Sequence, residues 1–198
     1  MAWATLEHQP DPTSEFRSWS HFVTTDRFLV SHLAGSILGQ ALFLLGAIAL
    51  AAAILPTTRR QREAAAGIVT AVLGSAGLLA GFGTAAFAQP AIARIELAGD
   101  TNARQVYDDV YATPAMITLL GGAALFALST VLLARAAASA GAARWTTVAF
   151  GASGPLIGVI GIALGPAQTV GAAAAIVGGV GLARTFRASY VPRSVAHL

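Results

Sequence analysis

Three hydrogen-bonding side chains stand four residues apart in SHLAGSILGQ, residues 31–40: His32, Ser36 and Gln40. On a helix that spacing puts them in one line. An imidazole, a hydroxyl and a carboxamide so arranged can bond a neighbouring helix or recognise the polar group of a ligand. His32 is also the sole titratable side chain well inside an apolar run of this chain, and ionisable groups in such places are functional candidates. Haem ligation would need a second axial residue, for which His21 is the available histidine. A metal could draw on His21, His32, Asp108 and Asp109. Nothing in the spacing of these residues enforces convergence, so no cofactor is expected. With no Cys in the chain, disulfides and thiolate-held metals or clusters are excluded.

The elements that must position these groups are apolar helices. Hydrophobic residues make up 56% of the 198 and charged ones 11%, against about 25% charged in an ordinary soluble domain. A membrane helix needs about 20 apolar residues. Runs at 28–55, 65–89 and 114–134 supply three. The run 145–183 would reach roughly 58 Å as one helix, too long for a bilayer core of about 30 Å. GPAQ at 165–168 punctuates it. The expected fold is therefore an all-α polytopic bundle of five spans, the last two at 145–164 and 167–184, with four spans plus a re-entrant segment as the alternative. Pro155 is expected to kink the fourth span and make room inside the bundle.

Arg placement orients the bundle, because cytoplasmic loops are rich in basic residues. Of the 12 basic residues, all Arg, Arg59, Arg60, Arg62, Arg135, Arg144, Arg184, Arg187 and Arg193 fall on one side; Arg17, Arg27, Arg94 and Arg104 fall on the other. This puts the N-terminus outside and a C-terminal tail, 185–198, in the cytoplasm of a cell-membrane protein. Residues 1–27 carry four acids against two arginines, the reverse of a basic signal-peptide start, so the first span is expected to serve as its own export signal. Within that tail, Phe16, Trp19 and Val23 recur at helical spacing, which suits either a short helix lying on the membrane surface or a disordered tail with a Trp anchor. Thr24 or Thr25 can cap the first span, with Asp26 in its first turn. The arginines are scattered over short loops, so nucleic acid is not an expected partner.

With this orientation Thr84 and Gln89 end the second span, and Gln168 starts the fifth, on the same side as His32, Ser36 and Gln40. These six form the candidate ligand-binding set, an outward-facing polar pocket; hydrogen bonds between helices are the competing use. Small residues at Gly35, Gly39, Gly77, Gly81, Gly154 and Gly158 mark helix-packing faces, and the first two spans are expected to pack closely through theirs. The external loop, 91–112, reads as a short helix capped by Asp100. Tyr107 and Tyr111 would join the interfacial aromatic belt, and Asp108 and Asp109 would face water or a docked partner.

No span carries Asp, Glu, Lys or Arg at its middle, which disfavours proton-coupled transport. No phosphate-binding loop, HExxH or Ser–His–acid set occurs, and no catalytic residue is assigned. At FGTAAFAQPAIARIELAGD followed by QVYDDVYATP, residues 82–114, the chain resembles small multi-pass membrane proteins of high-GC actinobacterial genomes whose function is unassigned. That resemblance implies an integral membrane location and no chemistry. Three function classes follow. The first is a non-enzymatic membrane protein, surrounded by lipid, that assembles with itself or with a membrane partner. The second is a binder or carrier of a small or lipophilic molecule around His32 and Gln40. The third is a redox or metal-dependent enzyme subunit.

Overall fold

The computed structural model describes residues 9–187, apart from the side chain of Ala163. The first eight residues of the expected external tail and residues 188–198 of the expected cytoplasmic tail, Arg193 included, lie outside the described residues. Every regular element among the described residues is helical: α1 (Phe16–Val23), α2 (Asp26–Ile54), α3 (Gln61–Leu97), α4 (Ala103–Val110), α5 (Thr113–Ser139), α6 (residues 144–163) and α7 (Gly165–Arg187). Four of them, α2, α3, α5 and α7, are long and apolar enough to cross a membrane. The chain breaks between α6 and α7 at Leu164, whose backbone is extended at φ −130°, one residue before the GPAQ signal. The last helix runs to Arg187, three residues beyond its expected end.

Local chemistry explains the boundaries. Thr25 Oγ1 accepts from the Phe28 amide at 3.2 Å and starts α2, and Pro114 sits in the first turn of α5, where its missing N–H costs nothing. Gly99 (φ 86°) and Gly141 (φ 94°) end α3 and α5 in left-handed conformations. In each case the following amide reaches back five residues, Asp100 to Ile95 and Ala142 to Ala137, closing a Schellman turn.

Glycines then set how near the helices come. Helices α3 and α5 run antiparallel at backbone contact: a Cβ on Gly74 would stand 2.6 Å from the Phe126 nitrogen, and one on Gly77 would stand 2.8 Å from the Thr118 carbonyl oxygen. Gly81 faces Leu119, and Gly67 faces Leu133. The pattern repeats from α5 to α6, where Gly154 meets Ala127 and Thr130 and Gly158 meets Ala123. It repeats again from α6 to α7, where Gly178 meets Phe150 and Gly171 meets Ile157. In a bilayer, where lipid tails are as apolar as leucine, such backbone approach is a main source of helix association.

The expected close pairing of the first two spans is corrected. The glycine face of α3 is turned to α5, and α2 meets α3 through a polar tie, Gln40 Nε2 to Ser75 Oγ at 2.8 Å. The Phe43 ring of α2 also lies 4.6 Å from Phe126 and 6.3 Å from Phe150. Gly39 faces open space, and Gly35 is half-buried. Most hydroxyls bond within their own helix: Thr70 to Ala66, Thr118 to Pro114, Ser129 to Phe126 and Ser153 to Phe150.

The two ends of the bundle differ. At one, here the arginine end, Thr58 Oγ1 bonds the Ala136 carbonyl at 2.9 Å and Ser139 Oγ, tying the α2–α3 turn to the end of α5. Glu63 pairs with Arg60 beside it. Arg135 Nε lies 3.0 Å from Glu63 Oε2, off the line of a hydrogen bond.

The other end carries a cap. At 37 residues, α3 is about 55 Å long and outruns a bilayer core. Its last part, Gln89–Leu97, therefore occupies much of what the sequence suggested as loop. Against it lie α1 and α4, with Trp19, Val23, Ile92 and Ala93 buried among them. The short amphipathic helix expected around Phe16, Trp19 and Val23 forms, as Phe16–Val23, and its apolar face is covered by protein. Tyr107 packs against this cluster, edge-on to Trp19 at 5.1 Å, and Tyr111 lies 4.7 Å from Tyr107. Asp100 does not cap α4. Its carboxylate accepts from the Asn102 amide at 2.9 Å in a turn, and the helix starts at Ala103.

Replacing Gly74 by Ala should destabilise the bundle by about 1–3 kcal/mol, the usual range for overpacking. Gly46→Ala, whose Cβ meets nothing within 4 Å, should be neutral; thermal unfolding of the two variants in detergent checks the contrast.

Candidate functional site

At the cap end, α2, α3, α5 and α6 draw apart around a cavity of about 350 Å³, near the small end of the roughly 300–1,000 Å³ usual for ligand sites. Its polar lining is Ser31, His32, Ser36 and Gln40 from α2, Gln168 from α7, and Gln9 from the N-terminal segment. The rest of the wall is apolar, with Leu78 and Phe82 from α3, Leu119 and Leu120 from α5, and Ile157 from α6. His32 is the sole titratable residue in this lining among the described residues.

Two of the helices around the cavity, α2 and α6, leave ordinary α register where they line it, and α3 does so just beyond its lining residue Phe82. Ser31–Leu38 of α2, Thr84–Ala88 of α3 and Leu156–Ile160 of α6 are π-helical. A π turn widens the helix by one residue and is found disproportionately at functional sites. In α6 the cause is readable: Pro155 has no N–H to give, and the wider register follows it. In α2 the π segment carries His32, Gly35 and Ser36 together.

Each polar group has a defined state. His32 Nδ1 lies 3.0 Å from the Phe28 carbonyl oxygen. A carbonyl only accepts, so Nδ1 holds the proton and the Nε2 of the neutral ring is an acceptor. Phe28 also lies against the His32 ring, centroids 4.1 Å apart, and fixes its tilt. Gln168 Nε2 donates to the Gly161 carbonyl at 3.2 Å across the α6–α7 turn, and Gln40 is held by Ser75. The site can thus offer an imidazole acceptor, the Ser36 hydroxyl and two anchored carboxamides to a molecule that is otherwise apolar.

Four of the six expected ligand-binding residues, His32, Ser36, Gln40 and Gln168, line this one cavity. Thr84 and Gln89 do not. Thr84 Oγ1 turns back to the Ala80 carbonyl at 3.0 Å, and Gln89 Nε2 donates to Tyr111 Oη at 2.7 Å inside the cap. Helix α3 rotates them away because its glycine face is committed to α5. His21 is exposed on α1, and Asp108 and Asp109 are exposed on α4, with Asp109 accepting from Gln105 at 3.1 Å. No three His, Asp or Glu side chains come together as a metal site among the described residues. Ser31 and Gln9 escaped the sequence reading. Ser31 lies one residue before the line that drew attention, and Gln9 carries no local signal of where its segment folds.

No family model, curated protein or solved structure matches the chain, so the site is interpreted from its own geometry.

Above the cavity the cap holds its own half-buried polar pair, Gln89 and Tyr111. Burial pushes the Tyr111 phenol up to about 12, only partly offset by the Gln89 bond. Gln89 Oε1 is buried without a partner among the described residues, and turning the amide over would transfer the deficit to its nitrogen. The Tyr111 shift has a sign. The folded phenol keeps its proton from an unfolded value near 10 up to about 12, so its contribution to stability is complete below pH 10 and is lost as pH rises through that window. With Trp3 and Trp145 replaced by Phe, Trp19 emission should report the cap loosening between pH 10 and 12. Tyr111→Phe should flatten that part of the profile.

Proposed function

We propose that this chain is a multi-pass cell-membrane protein that binds a small, uncharged, largely apolar molecule in the cavity at the cap end of its bundle. The observation that carries the reading is the convergence of His32, Ser36 and Gln40 with Gln168, residues from opposite ends of the chain, on one space lined in part by π-helical turns of α2 and α6. The absence of Asp, Glu and Arg from the described lining argues for a neutral ligand. The acceptor at His32 Nε2 argues for a hydroxyl or amide N–H at its polar end. The glycine faces favour this reading over self-assembly, because Gly77, Gly81, Gly154 and Gly158 are used inside the chain. A partner contact keeps one support, the outward face of α4, where Val106, Asp108 and Asp109 are exposed.

Five spans belong to the same proposal. Helix α6 lies lengthwise between α5 and α7, from Thr146 beside Gly181 to Gly158 beside Ala123. A 20-residue helix rises about 30 Å, so it would share their depth in a bilayer. The cap would then face outside and the arginine end the cytoplasm, in keeping with the excess of Arg at that end.

Native mass spectrometry of the detergent-purified chain tests the binding reading. A non-covalent mass on the wild type that is lost from His32→Ala/Gln40→Leu, with the fold retained, is the expected result. A bare wild-type chain after exposure to total lipid extract would sink it. A reporter active only in the cytoplasm should work at the C-terminus and fail at the N-terminus; the reverse pattern rejects the orientation.

A further inference from the structure

A second and larger hollow lies toward the other end of the bundle. Helices α2 and α7 stand apart along an apolar groove of about 560 Å³. Gly39 and Gly46 of α2 and Gly179 of α7 line it, and a Cβ on any of them would meet nothing within 4 Å. These glycines therefore serve no helix contact within the chain; they keep a trough open. Phe43, Phe150 and Phe186 give it an aromatic wall. It runs along α2 from Gly39 to Ala53, about 21 Å at 1.5 Å per residue, comparable with the roughly 15 Å depth of one leaflet's hydrocarbon. Among its described lining residues one is polar, Arg187, in the last turn of α7 at the arginine end.

We propose that this groove is a site for an anionic phospholipid of the leaflet at the arginine end, one acyl chain lying in the trough and the phosphate meeting Arg187. The chemistry is complementary at both levels. The trough is apolar where the tail would lie, and with the membrane placement proposed above its one cation would stand where the bilayer changes from hydrocarbon to headgroups. Basic pockets between membrane helices select anionic headgroups in this way, and guanidinium matches phosphate in a two-point fork. A second protein helix fits less well. The seams among α3, α5, α6 and α7 are backbone approaches along both partners, whereas the cation at one end of this trough would be left without a counter-charge by an apolar span. The site is separate from the cap-end cavity and does not depend on that cavity binding anything.

The test uses the full chain, stripped of lipid in detergent and titrated with phosphatidylglycerol or with phosphatidylcholine of the same acyl length, bound lipid being counted by native mass spectrometry. The expected result is a preference for phosphatidylglycerol of about fivefold, the factor that ~1 kcal/mol per basic residue at an anionic surface corresponds to. Arg187→Gln should lower phosphatidylglycerol binding to the phosphatidylcholine level. Gly46→Leu and Gly179→Leu should fill the trough and reduce binding of both lipids, with unchanged thermal unfolding as the sign of an intact fold. Equal binding of the two lipids by the wild type, or undiminished binding by both leucine variants, overturns the proposal. A wild-type dimer that Gly46→Leu converts to monomer also overturns it, since a second copy would then own the groove.

Discussion

Everything in this bundle follows from how closely α5 is gripped. Gly74 and Gly77 of α3 meet α5 at backbone contact, and Gly154 and Gly158 of α6 meet the neighbouring face of the same helix. The gain is dispersion at short range, which falls steeply with a gap of even half an ångström. It therefore works only when a seam is followed without interruption, and the seams of α3, α5, α6 and α7 are. A helix can take part in few such seams, and the one left with least is α2. Its hold on the rest is a carboxamide–hydroxyl bond, a Phe43 contact with two rings and the Thr58 clasp beyond its end. The cap-end cavity and the apolar groove both border that helix. The cavity and the groove are consequences of where the glycine seams stop.

The polar groups divide along the same line. Where helices are in backbone contact, hydroxyls such as those of Ser129 and Ser153 turn back on their own helix, since a buried hydroxyl must find an acceptor and the nearest carbonyl is three or four residues away. Where the helices part, around His32 and Gln168, carboxamides and imidazole are anchored by one bond each and keep hydrogen-bonding capacity for something else. An apolar molecule entering there would meet groups whose positions are already fixed, so little ordering would be needed on binding.

Much of the architecture was legible in the sequence because apolar length and Gly–Pro punctuation are local signals. Most helix limits fell within about five residues of the runs, the end of α3 at Leu97 being the exception, and the α6–α7 break lies beside Pro166. The line of His32, Ser36 and Gln40 could be seen because four-residue spacing is preserved on any helix. What could not be seen was which helix each face would meet. The stripe of Gly74, Gly77 and Gly81 reads the same whether it faces α2 or α5, and choosing α5 turned Thr84 and Gln89 out of the cavity. The cap was missed for a related reason. Phe16, Trp19 and Val23 announce an apolar face, but whether protein or lipid covers it depends on α3 running on past Gln89, which no local signal in that stretch announces.

The cap also imposes an order of events. Helix α1 precedes α2 in the chain, yet its Trp19 face is closed by Ile92, Ala93 and Tyr107, which are synthesised many residues later. During synthesis its aromatic side stays uncovered until α3 and α4 have been made. Closure of the cap is thus a late, long-range event, slow by its loop length. Molecules in which α2 has inserted but α3 has not would be recognisable by an unsheltered tryptophan, the feature a quality-control protease at that membrane face would read.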